Sequence, residues 1–308
     1  MILAVCMNPA IDLTYSVGSL RPGTTHAVTR VHRRAGGKAV NTARVLAQLG
    51  EPVTLCGFAG GNHGIRLRDG LNDTGVTDAL STIANETRQS VAVVDAGEAT
   101  VFNEPGPTVS AGEWASLLAA VDDRIDGCAA IVMSGSVPPG APSDAYAQLV
   151  GLAQRHDVPS VVDASGEQLR SALAAGPTVV APNREELAQA LGLPVGDSRE
   201  LVSATAELSR RAGAAAIVSA GRDGLVAVAG EHCWVARPPR LVAGNPTGAG
   251  DALTAGIVRG VAQRAAWPLV LADALALAVA AVAVPIAGHV DLDLYRELLE
   301  HSVLEEIY

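Results

Sequence analysis

A layered α/β fold, with a mostly parallel sheet covered by helices on both faces, is predicted by three observations. From about residue 128 onward, short β-branched runs alternate with longer segments of helical spacing, the pattern of parallel strands joined by helical crossovers. Two apolar runs nearer the N-terminus, 1–6 and 53–58, flank a helical pattern over 38–48 and extend the same sheet. The chain of 308 residues is 49% hydrophobic and 18% charged, so core material is ample, and with aromatics at 3% the packing falls to Ala, Val and Leu.

Each element has its own justification. Residues 129–133, 160–162, 178–180 and 215–218 are short, apolar and rich in Val and Ile, as buried strands are. Between and after them, 143–155, 167–174, 184–191 and 198–211 carry helical spacing. The long apolar run 269–286 is broken by Asp273 and Pro285. Its uninterrupted part is well short of the ~20 residues of a membrane span, so it reads as a buried, Ala-rich helix. Two segments break the rhythm. Residues 13–33 and 88–103 look extended, the second as a hairpin around Asp95-Ala96-Gly97. They are expected to form a small β-layer, able to cover a site or to pair with another subunit. No repeat or Pro/Gly/Ser linker divides the chain, so 1–308 is expected to be one unit, with a lid from about 12–34 and 86–104.

The formal charge of −10 makes the chain a poor nucleic-acid binder by field alone. Cys6, Cys56, Cys128 and Cys233 are far apart and form no CxxC pair, which suits reduced thiols in a cytoplasmic protein. No HExxH arrangement occurs, and the N-terminus lacks the charged start of a signal peptide.

The chemistry concentrates in short motifs. In Asn245-Pro246-Thr247-Gly248-Ala249-Gly250-Asp251, small residues precede a lone acid and a new apolar helix. Backbone N–H groups and the positive helix end make an anion nest there, and Asp251 stands where a base would. Gly36-Gly37-Lys38 opens another helix, joining a cation to exposed amides, with Asn41 one turn in. A glycine turn with a solvated lysine is the alternative. Asp12, after the first strand, can bind sugar hydroxyls or simply turn the chain. Arg88 can fork onto a phosphate or be a surface charge. Ser136 can line a sugar-phosphate pocket, or belong to a rigid Pro-Pro-Gly turn. Asn183 and Glu186, three apart at a helix start, suit a hydrated Mg²⁺ and equally a capping box. Ser219, Gly221 and Gly224 end a further strand, where nucleotide phosphates can pass.

Together and in this order, NPAID (8–12), GGKAVN (36–41), TR (87–88), NEPGP (103–107), SGSVPPG (134–140), DASGE (163–167), PNREEL (182–187), SAGRDG (219–224) and NPTGAGD (245–251) resemble the ribokinase-like (PfkB) carbohydrate kinases. The match covers nearly the whole chain and is similar to the sugar-phosphate branch, which includes 1-phosphofructokinase and tagatose-6-phosphate kinase. The resemblance implies a ribokinase-like three-layer αβα fold with a small β-sheet lid, and a kinase using ATP and Mg²⁺. It implies that Asp251 is the base and that Gly248, Ala249 and Gly250 hold the transferring phosphoryl group. Asp12, Gly37 and Asn41 would hold the sugar, and Lys38, Arg88 and Ser136 its existing phosphate. Asn183 and Glu186 would organise magnesium through water, with Asn183, Ser219, Gly221, Gly224, Gly248 and Gly250 around the nucleotide. A homodimer through the lid is the implied assembly.

Three positions depart from the family pattern. Ala181 stands where a lysine is common before the Pro-Asn pair, which bears on nucleotide binding. Gln89 follows Thr87-Arg88 where the phosphofructokinase branch commonly has Asn or another small polar residue. Thr247 looks like the general sugar-kinase pattern, while Asn245 looks like the phosphofructokinase branch. The expected substrate is fructose 1-phosphate, followed by tagatose 6-phosphate or fructose 6-phosphate. An unphosphorylated sugar or nucleoside ranks lower, and a non-catalytic sugar-phosphate sensor last.

Overall fold

In chain order the elements begin with β1 (Ile2–Cys6), β2 (Ala10–Val17), β3 (Arg30–Gly36), α1 (Lys38–Gln48), β4 (Val53–Gly60), α2 (Gly61–Asp69) and β5 (Val76–Ile83). Next come β6 (Arg88–Asp95), β7 (Glu98–Asn103), α3 (Ala111–Ile125), β8 (Ala130–Ser134), α4 (Ala145–Arg155), β9 (Ser160–Asp163) and α5 (Gly166–Ala175). The chain continues with β10 (Val179–Val180), α6 (Arg184–Leu191), α7 (Ser198–Ala212), β11 (Ala215–Ser219), β12 (Leu225–Ala229) and β13 (His232–Arg237). It closes with α8 (Ala249–Ala262), α9 (Trp267–Val282), α10 (Leu292–Glu300) and β14 (Val303–Glu306). This computed structural model describes residues 1–95 and 98–307, so the turn at Ala96-Gly97 lies outside the described residues.

Ten strands form the main sheet in the order β14-β13-β12-β11-β10-β9-β8-β1-β4-β5. From β5 to β11 every neighbouring pair is parallel, and β12, β13 and β14 then add antiparallel at one edge. The sheet is thus mostly parallel, as expected, with its antiparallel strands gathered at one edge. The chain turns back through the single 3-10 turn Gly221–Asp223 and at Gly230, with no crossover helix, so β11, β12 and β13 pair antiparallel.

Alternation along the buried strands divides the core between two faces. On β1, Ile2, Ala4 and Cys6 face a layer that includes Val40, Leu46, Ile257, Leu271 and Leu298, contributed by α1, α8, α9 and α10. Leu3, Val5 and Met7 face the opposite layer, with Leu117, Leu149, Leu169, Leu187 and Leu208 from α3 to α7. Both faces of the sheet are therefore covered, and three layers result. The run read as a buried helix forms α9, which ends before Pro285. Among the described residues no helix is long and apolar enough to cross a membrane.

The two irregular segments form a separate sheet in the order β3-β2-β6-β7. β2 pairs antiparallel with β3 and parallel with β6, and β6 and β7 make the expected hairpin. β2 leaves the main sheet directly after β1, and β3 leads directly into α1. The small sheet is thereby fixed beside the carboxyl end of β1, where an open α/β sheet binds ligands.

Candidate active site

Six chain segments converge at that end of the sheet: the ends of β1, β8, β9 and β10, and the first turns of α1 and α8. Asp251 is the third residue of α8 and is only 7% exposed. Its carboxylate Oδ2 accepts a hydrogen bond from Asn41 Nδ2 at 2.8 Å, and the Thr42 hydroxyl donates to its backbone carbonyl at 3.1 Å. Two successive residues of α1 thus grip the start of α8. Burial, reinforced by the nearby charge of Asp163, pushes the Asp251 carboxyl up to about 7, against the opposing pull of Asn41 and Lys38. A buried carboxyl that shares its proton near neutral pH has the affinity a general base needs.

The loop before α8 is closely specified. Asn245 Oδ1 accepts from the Thr247 amide at 3.0 Å, and its Nδ2 donates to the Pro285 carbonyl at 3.0 Å. Gly248 caps the helix at φ 89°, a left-handed conformation that favours glycine. A Cβ there would lie 2.3 Å from Ala287 Cβ. The Ala249 amide, expected to help hold the phosphoryl group, donates to the Pro246 carbonyl at 3.1 Å and closes the turn. The amides of Gly250 and Asp251 fall in the first turn, where a helix supplies no acceptor. Gly250 is exposed, with open space where a side chain would be. The amides of Gly250 and Asp251 are thus left free in the first turn, whereas the sequence suggests Gly248, Ala249 and Gly250. Gly248→Ala is expected to lower kcat by ~10–10²-fold, because strain and the Ala287 clash must tilt these amides. Steady-state ADP release checks it, and an unchanged kcat would remove Gly248 from the site.

Lys38, expected to face the sugar's existing phosphate, sits between two carboxylates. Its ammonium lies 3.0 Å from Asp163 Oδ1 and 3.4 Å from Glu186 Oε1. Burial by itself would lower the lysine's proton affinity, but the two carboxylates outweigh it and hold its pKa above the ordinary range. Asp163 is 4% exposed, at the end of β9, and its other oxygen accepts from the Ser134 hydroxyl at 2.7 Å. Sequence reasoning quoted its motif without assigning it a role. An acid ending a buried parallel strand was the available signal.

Asn183 and Glu186 form a complete capping box at the start of α6. Asn183 Oδ1 accepts from the Glu186 amide at 2.9 Å, and Glu186 Oε2 from the Asn183 amide at 2.9 Å. Among the described residues no group of three His, Cys, Asp or Glu side chains is spaced to hold a metal. Two carboxylates joined through Lys38 fit Mg²⁺ held mainly by nucleotide phosphates and its own waters.

Asp12, on β2, receives Arg34 NH2 from β3 at 3.2 Å. Burial raises the Asp12 carboxyl, and Arg34 opposes that shift. Arg34 also donates to Asn41 Oδ1 at 3.4 Å and to the Ala287 carbonyl, so it ties the small sheet to α1 and to the segment after α9. No motif pointed to Arg34, which sits in the basic, mostly exposed run 30–34. Asn41, expected to hold sugar, spends its amide on Asp251 and Arg34. Gly37 caps α1, and Ser136 is exposed at the end of β8. Arg88 donates from Nε to the Asn8 carbonyl and from NH1 to the Glu104 carbonyl, both at 3.1 Å.

Ser219, Gly221 and Gly224 sit beyond β10. Ser219 bridges to Asn183, which links this turn to the capping box. Gly221 is exposed, whereas Gly224 is buried, with the position of a Cβ only 2.0 Å from the Ala236 carbonyl of β13. Gly224 thus serves the turn, where β13 packs too closely for a side chain.

A family model for pfkB family carbohydrate kinase matches residues 1–290. Among solved structures, Escherichia coli phosphofructokinase-2 in complex with fructose-6-phosphate is 28% identical, with a TM-score of 0.89 over 97% of this chain and 98% of that one. The tetrameric inhibited form of the same enzyme has a TM-score of 0.90 at 28% identity, again over 97% and 98% of the two chains. A Thermotoga maritima protein described as a possible 1-phosphofructokinase shares the fold, with a TM-score of 0.90 at 24% identity over 100% of both chains. A buried carboxylate beside first-turn amides, at the carboxyl edge of a three-layer α/β sheet, is thus met by agreement over almost the entire chain: the protein belongs to the pfkB family of carbohydrate kinases, phosphotransferases that act on a sugar hydroxyl.

Proposed function

We propose that the protein transfers the γ-phosphoryl group of ATP to a sugar phosphate, with fructose 1-phosphate as first substrate and fructose 1,6-bisphosphate as product. The observation that carries the phosphate preference is the state of Arg88. Lys38 is neutralised by Asp163 and Glu186, and Arg34 by Asp12. Arg88 meets only backbone carbonyls through its hydrogen bonds, and among the described residues it enters no ion pair. A half-buried guanidinium with uncommitted charge is suited to an anionic substrate.

Asp251 takes the proton from a primary hydroxyl as its oxygen attacks the γ-phosphorus in line. The amides of Gly250 and Asp251 face the charge that develops on the phosphoryl oxygens. Asp12, oriented by Arg34, binds sugar hydroxyls, and Asn41 holds Asp251 in line. Asp163 and Glu186 are the residues that would hold the waters of a nucleotide-borne Mg²⁺, which would supply neutralisation of phosphate charge. The small sheet acts as the lid. Val31 on β3 and Val101 and Phe102 on β7 are exposed apolar residues on its two edge strands, which supports pairing of two lids in a homodimer.

Fructose 6-phosphate is the second substrate reading, because a relative of 28% identity is described in complex with it. ADP release across fructose, fructose 1-phosphate, fructose 6-phosphate and tagatose 6-phosphate tests the proposal. A kcat/KM highest for fructose 1-phosphate is expected, and equal turnover of unphosphorylated fructose would overturn it. Arg88→Ala is expected to raise KM for the sugar phosphate by ~10–10²-fold, the scale of a hydrogen bond to a charged group, with a smaller change in kcat. An unchanged KM would return Arg88 to a purely structural role.

A further inference from the structure

Asn8 lies at the point where the end of β1, the loop after β7 and the loop after β8 meet. It is 4% exposed. Its side-chain amide donates to the Pro105 carbonyl and to Ser136 Oγ, both at 3.0 Å. Its backbone carbonyl accepts from Arg88 Nε at 3.1 Å, and the same guanidinium reaches the neighbouring Glu104 carbonyl. Asn8 thus touches Arg88 and Ser136, two of the three residues expected at the substrate's existing phosphate.

The direction of the Ser136 bond is fixed by chemistry. With its nitrogen facing two acceptors, the amide is oriented as a donor, since the flipped amide would set its oxygen against the Pro105 carbonyl. Ser136 Oγ must then accept, and a hydroxyl that accepts from one neighbour keeps its own hydrogen for another. Ser136 is exposed, so that hydrogen is available to a ligand oxygen. Asn8 Oδ1, in contrast, is buried without a partner, against Gly106, where a Cβ would lie 2.2 Å from it. An orphan acceptor is unfavourable, so stability alone does not explain an amide here, and the function lies in its donors.

We propose that Asn8 is a positioning residue for substrate specificity: it occupies one lone pair of the Ser136 hydroxyl, leaving the hydrogen for a ligand oxygen, and aims the Arg88 guanidinium, together forming the pocket for the phosphate the sugar already carries. This rests on the sugar-phosphate reading above. The role is indirect, because Asn8 acts through Ser136 and Arg88 and does not itself meet the substrate.

A double-mutant cycle tests it, with fructose 1-phosphate and saturating ATP and Mg²⁺. Asn8→Ala and Ser136→Ala should each raise KM by ~10–10²-fold, with smaller changes in kcat. If Asn8 acts through Ser136, the double variant should lose much less than the product of the two single effects. Thermal unfolding of each variant establishes that it is folded. Multiplicative losses, or an Asn8→Ala variant that loses kcat and thermal midpoint at unchanged KM, would overturn the assignment while leaving the sugar-phosphate reading intact. A wild-type enzyme that turned over fructose and no sugar phosphate would overturn both.

Discussion

Asp251→Asn is expected to lower kcat by ~10²–10⁴-fold while making the folded protein more stable above pH 7. The two effects share one cause. Burial and the Asp163 charge raise the Asp251 carboxyl from an ordinary 3.8 to about 7. In the unfolded chain the group would lose its proton near pH 4. Stability therefore falls as pH rises from about 4 to about 7, because the folded protein holds its proton more tightly over that window. Above pH 7 the buried charge costs on the order of 4 kcal/mol, and a neutral asparagine relieves it. Its carbonyl can still accept from Asn41, so the grip of α1 on α8 is kept. A rise in thermal midpoint of ~5 °C or more at pH 8 is expected alongside the loss of turnover. A variant that lost activity and stability together would point to a packing role for Asp251.

Lys38→Met is expected to produce the second large effect. Lys38 lowers the pKa of Asp251 and neutralises Asp163 and Glu186. Without it Asp163 faces Asp251 uncompensated, and the base becomes harder to ionise. The acid limb of the pH–rate profile should move up by about one unit, which is about tenfold in activity below that limb. Stability should fall by about 1–3 kcal/mol, less than for a fully buried pair because the Lys38 side chain is 40% exposed. Measuring kcat/KM from pH 6 to 9 decides the matter. A limb that stayed in place would mean that Lys38 serves the substrate directly and not Asp251.

The sequence was most informative where local pattern and tertiary role coincide. The β-branched runs at 129–133 and 160–162 are buried on both faces, so their apolar continuity was visible, and they form β8 and β9. The glycine and proline punctuation around 36–37 and 245–248 marked both helix starts, because tight turns need those residues. β5 was not legible, since as a sheet edge it alternates poorly and carries Thr77, Asp78 and Ser81 among its apolar positions. Nor were β12 and β13 placed, because hairpin strands were not separated from the parallel rhythm before them.

Within the site, the sequence identified which residues gather but not how they pair. Lys38 and Arg88 look alike as cations at the starts of elements. Only the fold brings Asp163 and Glu186 to one and leaves the other with backbone carbonyls. Asn41 likewise reads as a sugar ligand until α1 and α8 are set side by side. Pairings across 125 or 210 residues of chain carry no local signature.

The most direct test of Asp251 as the base is the pH dependence of kcat/KM for fructose 1-phosphate in the wild type and in Asp251→Asn, measured under identical ATP and Mg²⁺. Ionisation of the substrates is common to both enzymes, so the comparison isolates the protein group. The wild type should rise with pH through a midpoint near 7, and the residual activity of the variant should lack that protein-derived rise. The same limb in both enzymes, or a wild-type profile flat across neutral pH, would contradict the assignment.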